Sequence, residues 1–260
     1  MLLSTLAHAS SILPATTQGQ FAAVEKNELK PWLKQCWCLP PKAQAEFVAR
    51  MEDILDLYQL PPDPLRPLVW VDESQKEHRR EVAPAQAVAP GQPYRYDHEY
   101  KHNGRSNLFM MFAPHANWRQ VKVTEQRTGR DFAAGRRELV DEHFPEATVI
   151  RLVVDNLNTH GKASLYAHFP PAEAQRIARK LELHYTPKHG SWLDVAEIEL
   201  SVLGRQCLNR RIPDRATLQE EVTVWAVARN AARATIRWLF TSADARIKLE
   251  RLYPVIQHDK

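Results

Sequence analysis

Two β-branched runs that each end in an aspartate constrain this chain more than anything else in it. Leu68-Val69-Trp70-Val71 leads into Asp72, and Val149-Ile150-Arg151-Leu152-Val153-Val154 leads into Asp155. Such a run reads as a buried strand that delivers a carboxylate to the sheet edge, where α/β folds place their chemistry. A third acid, Glu197, lies in Ser191-Trp192-Leu193-Asp194-Val195-Ala196-Glu197-Ile198-Glu199, which reads as a helix from Trp192. Carboxylates gathered from distant parts of a chain repel unless a positive charge sits among them. Oxygen-only clusters suit hard divalent cations, held by carboxylates together with water and phosphate. The pattern points to metal-assisted phosphodiester chemistry.

The remaining segments supply a frame for these acids. After Pro40-Pro41, the residues Phe47, Met51, Ile54, Leu55 and Tyr58 recur at helical spacing, and the prolines from Pro61 to Pro67 then make a short stiff linker. Residues 75–93, with Pro84, Pro90, Gly91 and Pro93, read as a loop. Stretches 94–101, 106–114 and 117–124, broken at Asn103-Gly104 and Pro114-His115-Ala116-Asn117, read as an antiparallel meander. A helical stretch over Asp131 to Phe144, the strand to Asp155, a helix over Ala172 to Leu181 and a short strand Leu183 to Tyr185 follow. One or two helices fill 214–251. This order suits a mixed sheet covered by helices on both faces. It matches an α/β, ribonuclease H-like fold, a five-stranded mixed sheet flanked by helices whose first and fourth strands are neighbours. In that fold Asp72 and Asp155 lie side by side. Residues 1–24 are expected to be a disordered leader without the basic start of a signal peptide, 25–64 a helical linker segment, and 65–255 the catalytic domain.

The formal net charge of +4 leans toward a polyanionic partner. Arg205, Arg210, Arg211 and Arg215 cluster, and Arg229, Arg233 and Arg237 recur every four residues on an expected helix. That row reads either as a phosphate track or as a solvated helix face. Cys36, Cys38 and Cys207 cannot form a disulfide framework, and Cys36-Trp37-Cys38 lacks the spacing of a zinc knuckle. They read as reduced thiols of a cytosolic protein. Trp32 and Trp37 read as linker packing. No apolar run reaches the roughly 18 residues of a membrane span.

Three motifs, Val71-Asp72-Glu73-Ser74, Asp155-Asn156-Leu157-Asn158-Thr159-His160 and Tyr185-Thr186-Pro187-Lys188-His189-Gly190 running on to Glu199, resemble those of DDE transposases from bacterial insertion sequences. The likeness is greatest to the insertion-sequence branch (the insertion sequence 630 family) of the mariner superfamily and runs from about Lys26 to Pro254, taking in Arg211-Ile212-Pro213-Asp214 and Ala243-Asp244-Ala245-Arg246-Ile247-Lys248. The resemblance implies a nuclease and strand transferase with Asp72, Asp155 and Glu197 as catalytic residues and ligands of two Mg²⁺ or Mn²⁺ ions. It implies double-stranded DNA (element ends and target) as partner, a homodimer, no organic cofactor and no membrane, and a cytoplasmic, nucleoid-associated bacterial protein. It also implies N-terminal helix-turn-helix modules for which the stretch before the first helix is too short, so a truncated copy is expected. The second reading is a catalytically silent DNA-binding or oligomerisation remnant.

The third acid has neighbours to be told apart. Asp194 and Glu197 share a helix face, while Glu199 lies about 200° round from Glu197. Most members of the family this chain resembles have Asn at the position of Asp194, which implies a polar rather than an anionic role there. Ser191 with Asp194 also reads as a capping box with Ser191 at the N-cap. Glu197 is therefore the expected ligand, with Asp194 as neighbour and Glu199 as support. Glu73 is expected to face the opposite side of its strand and to be structural. Lys188 and His189, with Arg205, Arg210 and Arg211, are expected to contact DNA phosphates. His160, five residues past Asp155, reads either as a contact to phosphate or metal-bound water or as a structural histidine.

Overall fold

The computed structural model describes residues 41–83, 89–92, 98–155, 161–188 and 190–254 of the chain. The expected leader, Trp32, Trp37, Cys36, Cys38, His160 and His189 lie outside the described residues.

Five strands form one mixed sheet in the order β3-β2-β1-β4-β5. They are β1 (Leu68–Glu81), β2 (Tyr100–Ala113), β3 (Trp118–Thr124), β4 (Ile150–Val154) and β5 (Leu181–Tyr185). The first three pair antiparallel, whereas β1–β4 and β4–β5 pair parallel. The first and fourth strands are neighbours, as the order of elements predicts, and the fold is the ribonuclease H-like α/β arrangement.

The seven α-helices among the described residues are α1 (Pro41–Gln59), α2 (Gly129–Glu138), α3 (Ala163–His168), α4 (Pro171–Arg179), α5 (Val195–Leu203), α6 (Arg215–Ala231) and α7 (Ser242–Lys248). Alternate residues of β1 serve the two faces of the sheet, as the strand period of two requires. Trp70 packs into a core shared with α1, α5, α6 and α7, while Val69 and Val71 pack into a second core with α2, α3 and α4. The helical residues Phe47, Met51, Ile54, Leu55 and Tyr58 of α1 all enter the first core. Tyr58 stacks on Trp70 at 4.8 Å and on Trp238 at 4.4 Å between ring centroids.

Several boundaries differ from the sequence reading. β1 does not close at Asp72 but runs on to Glu81, because β2 pairs with it as far as Glu81↔Tyr100. Residues 75–81, expected in a loop, are therefore strand. β2 also passes straight through Asn103-Gly104: Gly104 takes φ +83°, which glycine alone adopts freely, and the pairing shifts register between Glu77 and Arg79. The expected helix to Phe144 ends as α at Glu138 and continues as a π turn over Leu139–His143. α6 stops at Ala231 and Arg233 sits at φ +51°, so Arg229, Arg233 and Arg237 do not form a row on one helix.

Candidate active site

Asp72 shares the face of β1 that carries Trp70, the face covered by α5. Recorded pairs Leu68↔Arg151, Val69↔Leu152 and Trp70↔Val153 fix the parallel register of β1 and β4. Two further steps along the same register bring Asp72 level with Asp155, the residue immediately after β4. Between the strand ends and the helix, a tight turn brings the third motif over the sheet. Thr186 donates its backbone N–H to the Val154 carbonyl at 3.0 Å, and Gly190 donates to the Pro187 carbonyl at 2.9 Å. A Cβ at position 190 would meet Pro187 Cγ at 2.5 Å, so the turn requires glycine.

Ser191–Leu193 then forms a single 3₁₀ turn, and Asp194, not Ser191, is the N-cap of α5. The Asp194 side chain accepts from Ala196 N at 2.7 Å. The expected capping box fails because the 3₁₀ turn delays the helix by three residues. α1 fixes this junction from the other side: Tyr58 Oη donates to the Leu193 carbonyl at 2.5 Å. Burial, reinforced by the charge of Asp194, keeps that phenol protonated well above its ordinary pKa.

The electrostatics are those of neighbouring acids. Burial pushes Asp72 up to about 6; a hydrogen bond from Glu73 N at 2.8 Å opposes this, and the charges of Glu73, Glu197 and Asp155 add to it. The charges of Glu73, Glu197 and Asp155 that raise it are all carboxylates. Asp194, fully enclosed, is pushed up further by burial and by Asp72. Glu197 is exposed, yet partial desolvation still raises it against the Ser191 hydrogen bond. Oxygen-only donors, mutually repelling and carried on a strand, a strand end and a helix, fit a hard divalent cation. Among the described residues no three His, Cys, Asp or Glu side chains already form a closed ion cage, so the fit lies in the donor chemistry.

The remaining acids are otherwise engaged. Glu73 faces the second core and lies 3.9 Å from Arg127. Glu199 is fully buried against Arg119 and Arg229. Burial pulls Arg119 down to about 10, although Glu199 beside it favours the charge. Of the residues expected at DNA, Lys188 and Arg205 are exposed, Arg205 donating to Ser201 Oγ at 2.6 Å. Arg210 pairs with Glu221, and Arg211 pairs with Glu81 at 2.6 Å and donates to the His98 and Glu99 carbonyls. Cys207 is a buried free thiol, pushed up to about 11 by desolvation. No helix among the described residues is long and apolar enough to cross a membrane.

A family model described as DDE superfamily endonuclease matches residues 67–219, more than half of the chain. The chain belongs to the DDE superfamily endonuclease family. Its match spans Asp72, Asp155 and Glu197 together. Among solved structures, this family member is similar to the Mos1 transposase paired-end complex with left transposon end (12% identity, TM-score 0.50, 88% of this chain and 65% of that one). It is also similar to the Mos1 strand transfer complex (10%, 0.51, 95% and 67%) and to the Mos1 mariner paired-end complex with Mn (13%, 0.50, 95% and 69%). At these identities the likeness is one of fold, and the chain spans about two thirds of those proteins. No curated protein sequence matches it.

Proposed function

We propose that this DDE superfamily endonuclease is the catalytic domain of a mariner-like transposase, of the branch found in bacterial insertion sequences, and that it cleaves and joins DNA strands. The observation that carries the proposal is the strand register that sets Asp72 level with Asp155, on the sheet face covered by the helix that carries Glu197. The Mos1 complexes with a transposon end and with Mn support a DNA substrate and a divalent metal here. Bound among these carboxylates, two Mg²⁺ or Mn²⁺ ions would supply an activated attacking oxygen and a stabilised leaving oxygen for in-line displacement.

The chain's own residues then take distinct roles. Asp72, central in the sheet, together with Asp155 and Glu197, would hold the ions. Asp194 caps α5 and Glu199 supports it. Lys188 and His189, with Arg205, Arg210 and Arg211, hold DNA phosphates, and His160, five residues past Asp155 in the sequence, supports the site. Residues 65–255 form the catalytic domain, with α1 packed against it, in a cytoplasmic, nucleoid-associated protein that works as a homodimer on paired element ends.

The test is strand nicking by the purified protein on duplex DNA carrying the ends of its parent element, with Mn²⁺ or Mg²⁺. Wild type should nick, while Asp72→Ala, Asp155→Ala and Glu197→Gln should not, each remaining folded by thermal unfolding. Folded wild type that nicks none of these duplexes would refute the proposal. Loss in Glu199→Gln with full activity in Glu197→Gln would reassign the third ligand.

A further inference from the structure

Glu199 follows Glu197 by two residues on α5, and at about 100° per residue the two point to nearly opposite sides of the helix. Glu197 is exposed, whereas Glu199 is fully buried. A buried carboxylate persists only with charged partners, and Glu199 has two, each from a different element. Arg119 of β3 approaches through Nε at 2.7 Å. Arg229 of α6 donates to both carboxylate oxygens, through Nε at 2.8 Å and Nη2 at 3.2 Å.

Each arginine is itself held. Arg119 donates its backbone N–H and Nη1 to Asn230 Oδ1 at 2.9 and 3.0 Å, and Asn230 Nδ2 donates back to the Arg119 carbonyl at 2.9 Å. Arg229 Nη1 donates to Gln206 Oε1 at 3.4 Å, which also accepts from Trp225 Nε1 at 3.0 Å. One polar cluster thus ties together β3, α5, the turn that follows α5, and α6.

Apolar packing is non-directional and lets a helix rotate over its core at small loss, whereas a carboxylate between guanidinium groups fixes direction. A 20° rotation of α5 would move a side-chain tip about 5–6 Å from the helix axis by about 2 Å. Metal–ligand distances tolerate only about 0.2 Å. We infer that the Arg119–Glu199–Arg229 cluster is a positioning device that fixes the rotation of α5 and so aims Glu197 at Asp72. The inference rests on the reading of Glu197 as a metal ligand.

Positioning separates from stability because a whole buried ionic cluster can be replaced by apolar residues of similar size without loss of stability. The experiment compares wild type, Arg229→Met, Arg229→Lys and the triple variant Arg119→Met/Glu199→Leu/Arg229→Met by Mn²⁺ calorimetry, with and without duplex DNA, alongside thermal unfolding. Arg229→Met and the triple variant should fold but bind Mn²⁺ about 10- to 100-fold more weakly, as expected when a ligand loses its outer support. Arg229→Lys, which keeps the charge, should recover part of the loss, and nicking by Arg229→Met should return toward wild type at high Mn²⁺. Wild-type Mn²⁺ affinity in folded Arg229→Met and in the triple variant would overturn the positioning role and leave the ligand assignment standing. Wild type that neither binds Mn²⁺, with or without DNA, nor nicks would overturn the ligand assignment and the positioning role together.

Discussion

Replacing Asp72 by Asn should make the metal-free protein more stable while abolishing its chemistry. Burial and three neighbouring carboxylates raise Asp72 from an ordinary value of 3.8 to about 6. At about 1.36 kcal/mol per pKa unit, ionising Asp72 in the folded state opposes folding by about 3 kcal/mol, an upper figure because its neighbours titrate with it. The sign follows from linkage: between pH 4 and 6 the folded chain holds the proton that the unfolded chain has released, so wild-type stability falls as pH rises through that window. Asn keeps the Oδ1 acceptor that receives Glu73 N and removes the charge. In EDTA at pH 7.5, Asp72→Asn should unfold up to about 5 °C above wild type for a chain of this size. Near pH 4 the advantage should vanish, and Mn²⁺ should raise the melting temperature of wild type alone. Thermal unfolding of both proteins from pH 4 to 8 measures all three effects. A variant equal to or less stable than wild type at pH 7.5, in EDTA, would refute the argument that these acids repel one another in the empty site.

Other substitutions probe the scaffold and the DNA surface. Tyr58→Phe deletes the buried hydroxyl that donates to the Leu193 carbonyl, and urea denaturation should show a loss of about 1–2 kcal/mol. Gly190→Ala places a methyl group 2.5 Å from Pro187 Cγ; a destabilisation of about 1–3 kcal/mol is expected from the overpacking, with weaker Mn²⁺ binding. In fluorescence anisotropy with duplex DNA, Lys188→Ala and Arg205→Ala should each reduce the salt slope of binding by about 0.9. Arg211→Ala should change that slope less and stability more, since Arg211 is already tied to Glu81 and two backbone carbonyls; a larger slope change for Arg211 would reverse that order.

The adjacency of the first and fourth strands was legible from the order of elements and the two buried β-branched runs, whereas the short strand read as Leu183–Tyr185 begins at Leu181, where the helix before it was expected to end. The helix around Phe47 to Tyr58 was equally plain from its spacing. What stayed hidden depends on contacts that no local pattern records. The length of β1 beyond Asp72 is set by pairing with β2, not by hydrophobicity: residues 74–81 are all polar or charged. Arg119 left one faint signal. It shares strand parity with Val121 and Val123, so the alternation of β3 places a cation on an apolar face, where it is fully buried. Its partner Glu199 and the Arg229 that joins them come from helices far along the chain, which spacing alone does not connect. Tyr58 read as core, which it is, but its hydroxyl bond to Leu193 has no sequence signature.

Asp194 is where the sequence departs from the family pattern it resembles, in which Asn is usual, and its surroundings explain how an acid fits there. The residue is buried, and burial followed by the charge of Asp72 raises its carboxyl well above the usual carboxylate range. A protonated carboxyl has the shape of an amide and keeps an acceptor oxygen for the Ala196 N–H that caps α5. Asp and Asn cap helices about equally well, whereas Ala at this position costs about 1 kcal/mol. Asp194→Asn should therefore bind Mn²⁺ and nick DNA within a few-fold of wild type, with melting temperature unchanged or raised. Asp194→Ala should lose the cap and unfold earlier. If Asp194→Asn loses Mn²⁺ binding as completely as Asp72→Asn, then Asp194 is an anionic ligand in its own right, and Glu197 shares the third position with it.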